Sequence, residues 1–204
     1  MDTKVKNLVP TDLSTSYSPV YGQAINVRPM RPEDLEIETQ FVRELSAETR
    51  YNRLFSAGIS ITPEWLERLT RIDYSRDMAL VATVMLDDRE VQIGVARYVL
   101  LDDDRTCEFA IAIADAWQGC GIGRTLMLRL IESASAAGLK TMVGDVLTAN
   151  TPMLHLVHTL GFAVGANPDG AELRRVTLQL AVPAKAASPA AAKKISPKSS
   201  GLAK

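Results

Sequence analysis

The stretch Ala114–Arg124, reading Ala-Asp-Ala-Trp-Gln-Gly-Cys-Gly-Ile-Gly-Arg, constrains this chain more than any other. A strand-like segment runs into it and an amphipathic helical pattern runs out of it. Glycines let consecutive amides turn towards one point. A helix N-terminus adds unpaired N–H groups and a partial positive charge. The combination suits a pyrophosphate. The dinucleotide fingerprint G-x-G-x-x-G fails here, because its third glycine position holds Arg124 counted from Gly119 and Leu126 counted from Gly121. A P-loop needs Gly-Lys-Ser/Thr, which the loop does not contain. The plainer reading is a glycine-rich helix start with no ligand.

The flanks narrow the choice. Residues 1–22 lack periodicity and read as an irregular arm, followed by a short strand over 23–28. Pro32, Glu33 and Asp34 suit a first helical turn, with Leu35, Phe41, Val42 and Leu45 at helical spacing behind them. Two shorter helices are expected, from Ala47 to Phe55 and from Pro63 to Arg71, the second capped by Thr62. Met78–Leu86 is a nearly continuous apolar run, the pattern of a strand buried on both faces. Two more strands follow, over 91–101 and 106–114. Tight polar turns join the three into an antiparallel meander.

Past the loop, Ile122, Leu126, Met127, Leu130, Ile131 and Ala134 form a helical stripe that Gly138 closes. A strand at 141–147 comes next. Asn150-Thr151-Pro152 then caps a helix whose Met153, Leu156, Val157 and Leu160 share one face. Gly161 ends it, and strands at 162–166 and 172–182 close the fold. The order predicts an α/β (α+β) domain over 23–182, a mixed and mostly antiparallel sheet with helices on its faces.

Net charge is −1, which gives the whole chain no electrostatic case for nucleic acid. The distribution is uneven: residues 183–204 hold five Lys and no acid, leaving 18 basic against 24 acidic side chains in the rest. That tail is rich in Ala, Lys, Pro and Ser, and it reads as a disordered linker. Cys107 and Cys120 do not make a secreted disulfide framework. Neither a signal peptide nor a membrane-spanning run is visible, so the expected location is the cytoplasm.

Gln118-x-x-Gly121-x-Gly123 matches the acyl-CoA loop, Q/R-x-x-G-x-G/A, of the GNAT acetyltransferase superfamily, and Asn150 with Gly161-Phe162 matches its second signature. The resemblance runs from Arg28 to about Val182. Within the superfamily the chain most resembles bacterial protein lysine acetyltransferases of the Pat type. VRPMRPEDLE, LSAETRYNRLF, LTRIDYSRDMALVA, GVARYV, EFAIAIADAWQGCGIG and MLHLVHTLGF carry it, above all Ile72-Asp73-Tyr74 ahead of Met78-Ala79-Leu80-Val81-Ala82. The resemblance implies a GNAT fold and acetyl-CoA as cosubstrate, with no metal. It implies that backbone groups of Ile111, Ala112 and Ile113 contact the pantetheine arm. Gln118 heads the loop, whose amides from Gly119 through Cys120, Gly121, Ile122 and Gly123 to Arg124 take the pyrophosphate. Asn150 hydrogen-bonds a pantetheine amide or only caps its helix, and the Arg124 side chain reaches a phosphate or only solvent. The implied acceptor is a protein lysine, possible targets including AMP-forming acyl-CoA synthetases.

The chemistry asks for a base, since deprotonating a lysine ammonium at pH 7 costs about 4.6 kcal/mol. Glu108 is the candidate. By strand alternation it shares a face with Ala110, Ala112 and Ala114, while Cys107, Phe109, Ile111 and Ile113 point into a core. In Pat-type enzymes the matching Glu is implicated as a water-assisted base; the alternative is a solvated strand residue. Many GNAT enzymes carry a Tyr seven residues after the Asn as acid to the leaving thiolate, and here that position is Val157. A thiolate with pKa near 8.5 needs little help. His155 and His158 read as surface or packing residues. Acetylation of a small amine, and a non-catalytic acyl-CoA-binding module, stay open as alternatives.

Overall fold

The computed structural model describes residues 13–20, 22–54, 61–168 and 170–181. Its elements are β1 (Thr15–Val20), β2 (Gln23–Pro29), α1 (Leu35–Glu44), α2 (Ala47–Leu54), α3 (Pro63–Thr70), β3 (Met78–Leu86), β4 (Arg89–Leu100) and β5 (Thr106–Ile113). They continue with α4 (Ile122–Ala136), β6 (Thr141–Leu147), α5 (Thr151–Thr159), β7 (Ala163–Ala166) and β8 (Leu173–Gln179). Short 3-10 turns lie at Pro32–Asp34 and Asp115–Trp117.

The eight described strands form one sheet in the order β1-β2-β3-β4-β5-β6-β8-β7. Every pairing is antiparallel except β5 with β6. The expected meander is there. Asp87 and Asp88, at φ 48° and 61°, close the β3–β4 hairpin, where two left-handed residues match the twist of the flanking strands.

Every residue of Met78–Val84 is buried, because helices cover both sheet faces. On one face Ile122, Leu126, Met127 and Leu130 of α4 join Leu80, Ile93, Cys107, Phe109 and Met142 in the larger core. On the other, Phe41, Val42 and Leu66 from α1 and α3 pack on Ala79, Val81, Val95 and Ala112. The alternation expected along β5 therefore divides the two cores.

Two segments carrying the family resemblance prove to be architectural. Arg28 makes a two-pronged pair with Asp34, at 2.7 and 2.8 Å, and also reaches Glu90 at 3.0 Å. Tyr74 donates its hydroxyl to the Met30 carbonyl at 2.6 Å, tying α3's exit to the end of β2.

The irregular reading of residues 1–22 needs correction. Thr15–Val20 pairs with β2 as an edge strand, its register shifting between Tyr17 and Val20. Pro and an irregular register are tolerated at an edge, where one side of the ladder is unpaired. That tolerance hid the strand, because its sequence shows no clean alternation. Residues 1–12 and the basic tail lie outside the described residues.

Candidate functional site

β5 pairs with β4 along nearly its full length, from Leu100↔Cys107 to Gly94↔Ile113. Its parallel pairing with β6 stops after three rungs, at Glu108↔Val143. Beyond that rung β6 stays paired with β8 as far as Leu147↔Leu173, and the two central strands splay into a V. Phe109, the first residue past the last rung, is the wedge. Its ring packs over Gly144 so closely that a Cβ there would lie 2.6 Å from Phe109 Cε1. Phe162, just after α5, holds the ring edge-on at a centroid distance of 5.3 Å. The V leaves the backbone groups of Ile111 and Ile113 facing away from β4 without a strand partner, polar groups a strand normally spends on its neighbour, while those of Ala110 and Ala112 point to β4.

The Gly-rich loop crosses the open end of the V. Gly119 and Gly121 sit at φ +72° and +81°, conformations that cost an L side chain about 1–2 kcal/mol, and open space lies over both. Gly121 is the N-cap of α4 and makes no side-chain cap, so the first-turn amides are left for another acceptor. Gly123 lies over Ile111, Ile113 and Leu156, where a Cβ would meet ordinary contacts of 3.5–3.7 Å. Alanine would fit there, which gives the Gly-or-Ala choice at that position a steric reason.

The expected cofactor-binding residues divide into three groups. Backbone groups of Ile111 and Ile113 face the V, those of Ala112 turn to β4 instead, and those of Gly119, Cys120, Gly121 and Gly123 form the loop. Ile122 has no exposed surface, and its side chain belongs to the core under α4. Gln118 is committed to the protein: its Nε2 donates to the Ile113 carbonyl and to Thr49 Oγ1, each at 3.2 Å. Arg124 is exposed on α4's first turn. Asn150 Oδ1 accepts from Met153 N–H at 3.1 Å, so its capping role is realised through the carbonyl oxygen. Val157 is wholly buried and offers no acid. His155 and His158 are exposed, and among the described residues no three His, Cys, Asp or Glu side chains gather as metal ligands.

Glu108 is exposed on the opposite face of the sheet from α4, at the last rung before the splay. Its cross-strand neighbour Val99 is 50% exposed. Below them lies a charged patch. Glu38, 1% exposed, accepts from Arg97 at 3.3 Å and from Gln92 Nε2. Burial pushes the Glu38 carboxyl above its usual range, and Arg97 opposes the shift. Arg53 of α2 joins the patch; burial and then Arg97 push it down to about 10, while Glu38 and Glu108 oppose that shift. It stays charged at neutral pH.

A family model described as the acetyltransferase (GNAT) family matches residues 40–162. An acetyltransferase of Pseudomonas aeruginosa is 37% identical over 148 residues, 72% of this chain and 80% of that protein. The chain belongs to the GNAT acetyltransferase family. As such it is an acetyl-CoA-dependent N-acetyltransferase. Acetyltransferase Pat of Mycolicibacterium smegmatis is 33% identical over 146 residues, 69% of this chain but 41% of that relative's length. The GNAT domain of S. lividans PAT superposes with a TM-score of 0.73 over 85% of this chain and 100% of that one, at 22% identity, which speaks for the fold.

The loop of this acetyltransferase is also tied down by side chains that lie outside its motif. Asp115, at the loop's entrance, accepts from Ser46 N–H at 3.0 Å, from Ser46 Oγ–H at 2.7 Å and from Thr49 Oγ1–H at 2.8 Å. Burial nudges its carboxyl up, but these donors outweigh that and hold it below the usual range. Ser46 is the residue before α2, and its own Oγ accepts from Thr49 N–H at 3.1 Å. Ser-x-x-Thr ahead of a helix is an N-cap signal. What it could not disclose is that the cap is shared with a loop 69 residues away. Among the described residues, no helix is long and apolar enough to cross a membrane.

Proposed function

We propose that this acetyltransferase moves the acetyl group of acetyl-CoA to the side-chain amine of a protein lysine, with Glu108 as the base. The observation that carries the reading is Glu108's place at the apex of the V, on the face away from the loop helix. Both it and its neighbour Val99 are exposed there. An exposed carboxylate beside exposed hydrocarbon suits a lysine presented on a protein surface. The Pat-type resemblance points the same way.

The loop and the V fit the coenzyme. The amides of Gly119 to Arg124 would take its pyrophosphate, and Ile111 and Ile113 would pair with the pantetheine amides as a neighbouring strand does. Asn150 would meet the same arm through its Nδ2. The coenzyme supplies a thioester carbonyl. Glu108 removes a proton from the lysine ammonium, directly or through one water, and the neutral amine attacks. The thiolate leaves without a dedicated acid, since its pKa near 8.5 makes it a competent leaving group. Nothing in this scheme calls for a metal, and the cytoplasm suits both substrates.

The test is acetyl-CoA consumption with a purified AMP-forming acyl-CoA synthetase, followed by mass spectrometry of its lysines. The expected result is one or a few lysines acetylated above the enzyme-free background. Turnover with small amines and none with protein would replace the acceptor. Coenzyme binding with no turnover on either would leave a binding module.

A further inference from the structure

The loop and α2 are joined by a closed circuit of hydrogen bonds. Gln118 bridges the Ile113 carbonyl and Thr49 Oγ1. Thr49 Oγ1 donates to Asp115 Oδ1, Asp115 takes both donors of Ser46, and Ser46 Oγ returns to Thr49 N–H. The Thr49 hydroxyl is the only side chain in the circuit that touches both loop residues, as donor to Asp115 and as acceptor from Gln118. The carboxylate also sits at the N-terminus of α2, where helix dipole and negative charge reinforce each other.

α2 packs against β5 and carries Arg53 into the charged patch next to Glu108. One end of this two-turn helix is therefore bolted to the coenzyme loop, and the other lies at the acceptor side. The circuit's hydrogen bonds lie at the surface, with Ser46, Asp115 and Gln118 exposed and Thr49 partly buried. Exposed hydrogen bonds are individually weak, so the loop and α2 can separate at modest cost when the loop is unoccupied.

We propose that Thr49 and Asp115 are positioning residues that couple coenzyme occupancy of the loop to the placement of α2 at the acceptor site. The inference rests on the coenzyme site proposed above. Coenzyme binding orders the loop, the circuit holds α2 against β5, and the acceptor meets a preformed surface. By linkage, acceptor binding tightens the coenzyme by the same factor.

Two measurements on the full chain test this. Hydrogen exchange with and without coenzyme A should show amides of residues 46–54 gaining protection on coenzyme binding. In Thr49→Val that gain is lost, while the loop amides of residues 119–124 remain protected. With an acceptor in hand, Thr49→Val should raise the acceptor KM about fivefold to tenfold at saturating acetyl-CoA, and the acetyl-CoA KM at saturating acceptor by a similar factor, leaving kcat and the coenzyme A affinity of the acceptor-free enzyme within about twofold. Thr49→Ser, which keeps the hydroxyl, should restore the wild-type values. Should Thr49→Val fail to fold, Asp115→Asn takes its place. Equal protection of residues 46–54 in wild type and variant overturns the coupling. So does a rise in the acetyl-CoA KM alone, which would make the circuit a brace for the loop only. If no acceptor is turned over, the proposed acceptor fails, and the exchange experiment still decides the coupling. If coenzyme A protects neither segment in the wild type, the coenzyme site itself fails and the coupling falls with it.

Discussion

Cys107, Phe109, Ile111 and Ile113 turn one face of β5 into hydrocarbon packing under α4, while Glu108, on the other face, looks towards Arg53, Arg97 and Glu38. The first face is made of tightly fitted apolar side chains and is the one on which the proposed coenzyme loop starts. The second assembles charge from α1, α2, β4 and β5 around a carboxylate that stays exposed. A residue swap on the first face should act through shape, and on the second through charge.

The sharpest separation is expected at Glu108. Glu108→Gln keeps size and polarity but cannot accept the proton, and kcat/KM should fall about 10²–10³-fold. Calorimetric binding of coenzyme A should be unchanged, because the coenzyme side is built elsewhere. Turnover equal to wild type would remove Glu108 from the mechanism. Next comes the patch itself. Glu38→Ala leaves Arg97 buried without its carboxylate, for about 3 kcal/mol of lost stability in denaturant melts. A loss below about 1 kcal/mol would mean that water or a rearranged Gln92 satisfies the guanidinium, and that the patch is loose.

Shape effects should be smaller. Gly144→Ala pushes a methyl into the Phe109 ring and should cost about 2 kcal/mol, seen as a Tm drop of roughly 4–8 °C. An unchanged Tm would show that the ring moves freely, and that the wedge does not hold the strands apart. Smallest is Gly121→Ala, where no clash arises but the left-handed backbone is strained. Coenzyme A binding should weaken about fivefold to tenfold, and the Tm should fall by only about 2–4 °C, the effect of roughly 1 kcal/mol in a domain of this size. No loss of affinity would argue against this loop as the pyrophosphate cradle.

Legibility followed the same division. The loop, the meander, α4 and the Asn150 cap could be read because each is encoded in contiguous residues: a periodicity, a glycine run, a capping triplet. Alternation along β5 placed Glu108 on the right face with no structure at all. Edge strand β1 escaped because half its ladder is unpaired and its sequence needs no pattern to stay there. Gln118 fits the family loop pattern, yet its side chain is spent on Thr49 and Ile113.

The chain's own order of residues thus determined the element types, the glycine geometry of the loop and the face on which each β5 side chain stands, since backbone preference and period act over a few residues. Tertiary structure alone decided that β5 and β6 part after Glu108, that Glu38 meets Arg97 across 59 positions, and that Asp115 caps a helix 69 positions away. Those contacts depend on how the sheet packs its helices, and no local pattern records which distant carboxylate will arrive beside which cation.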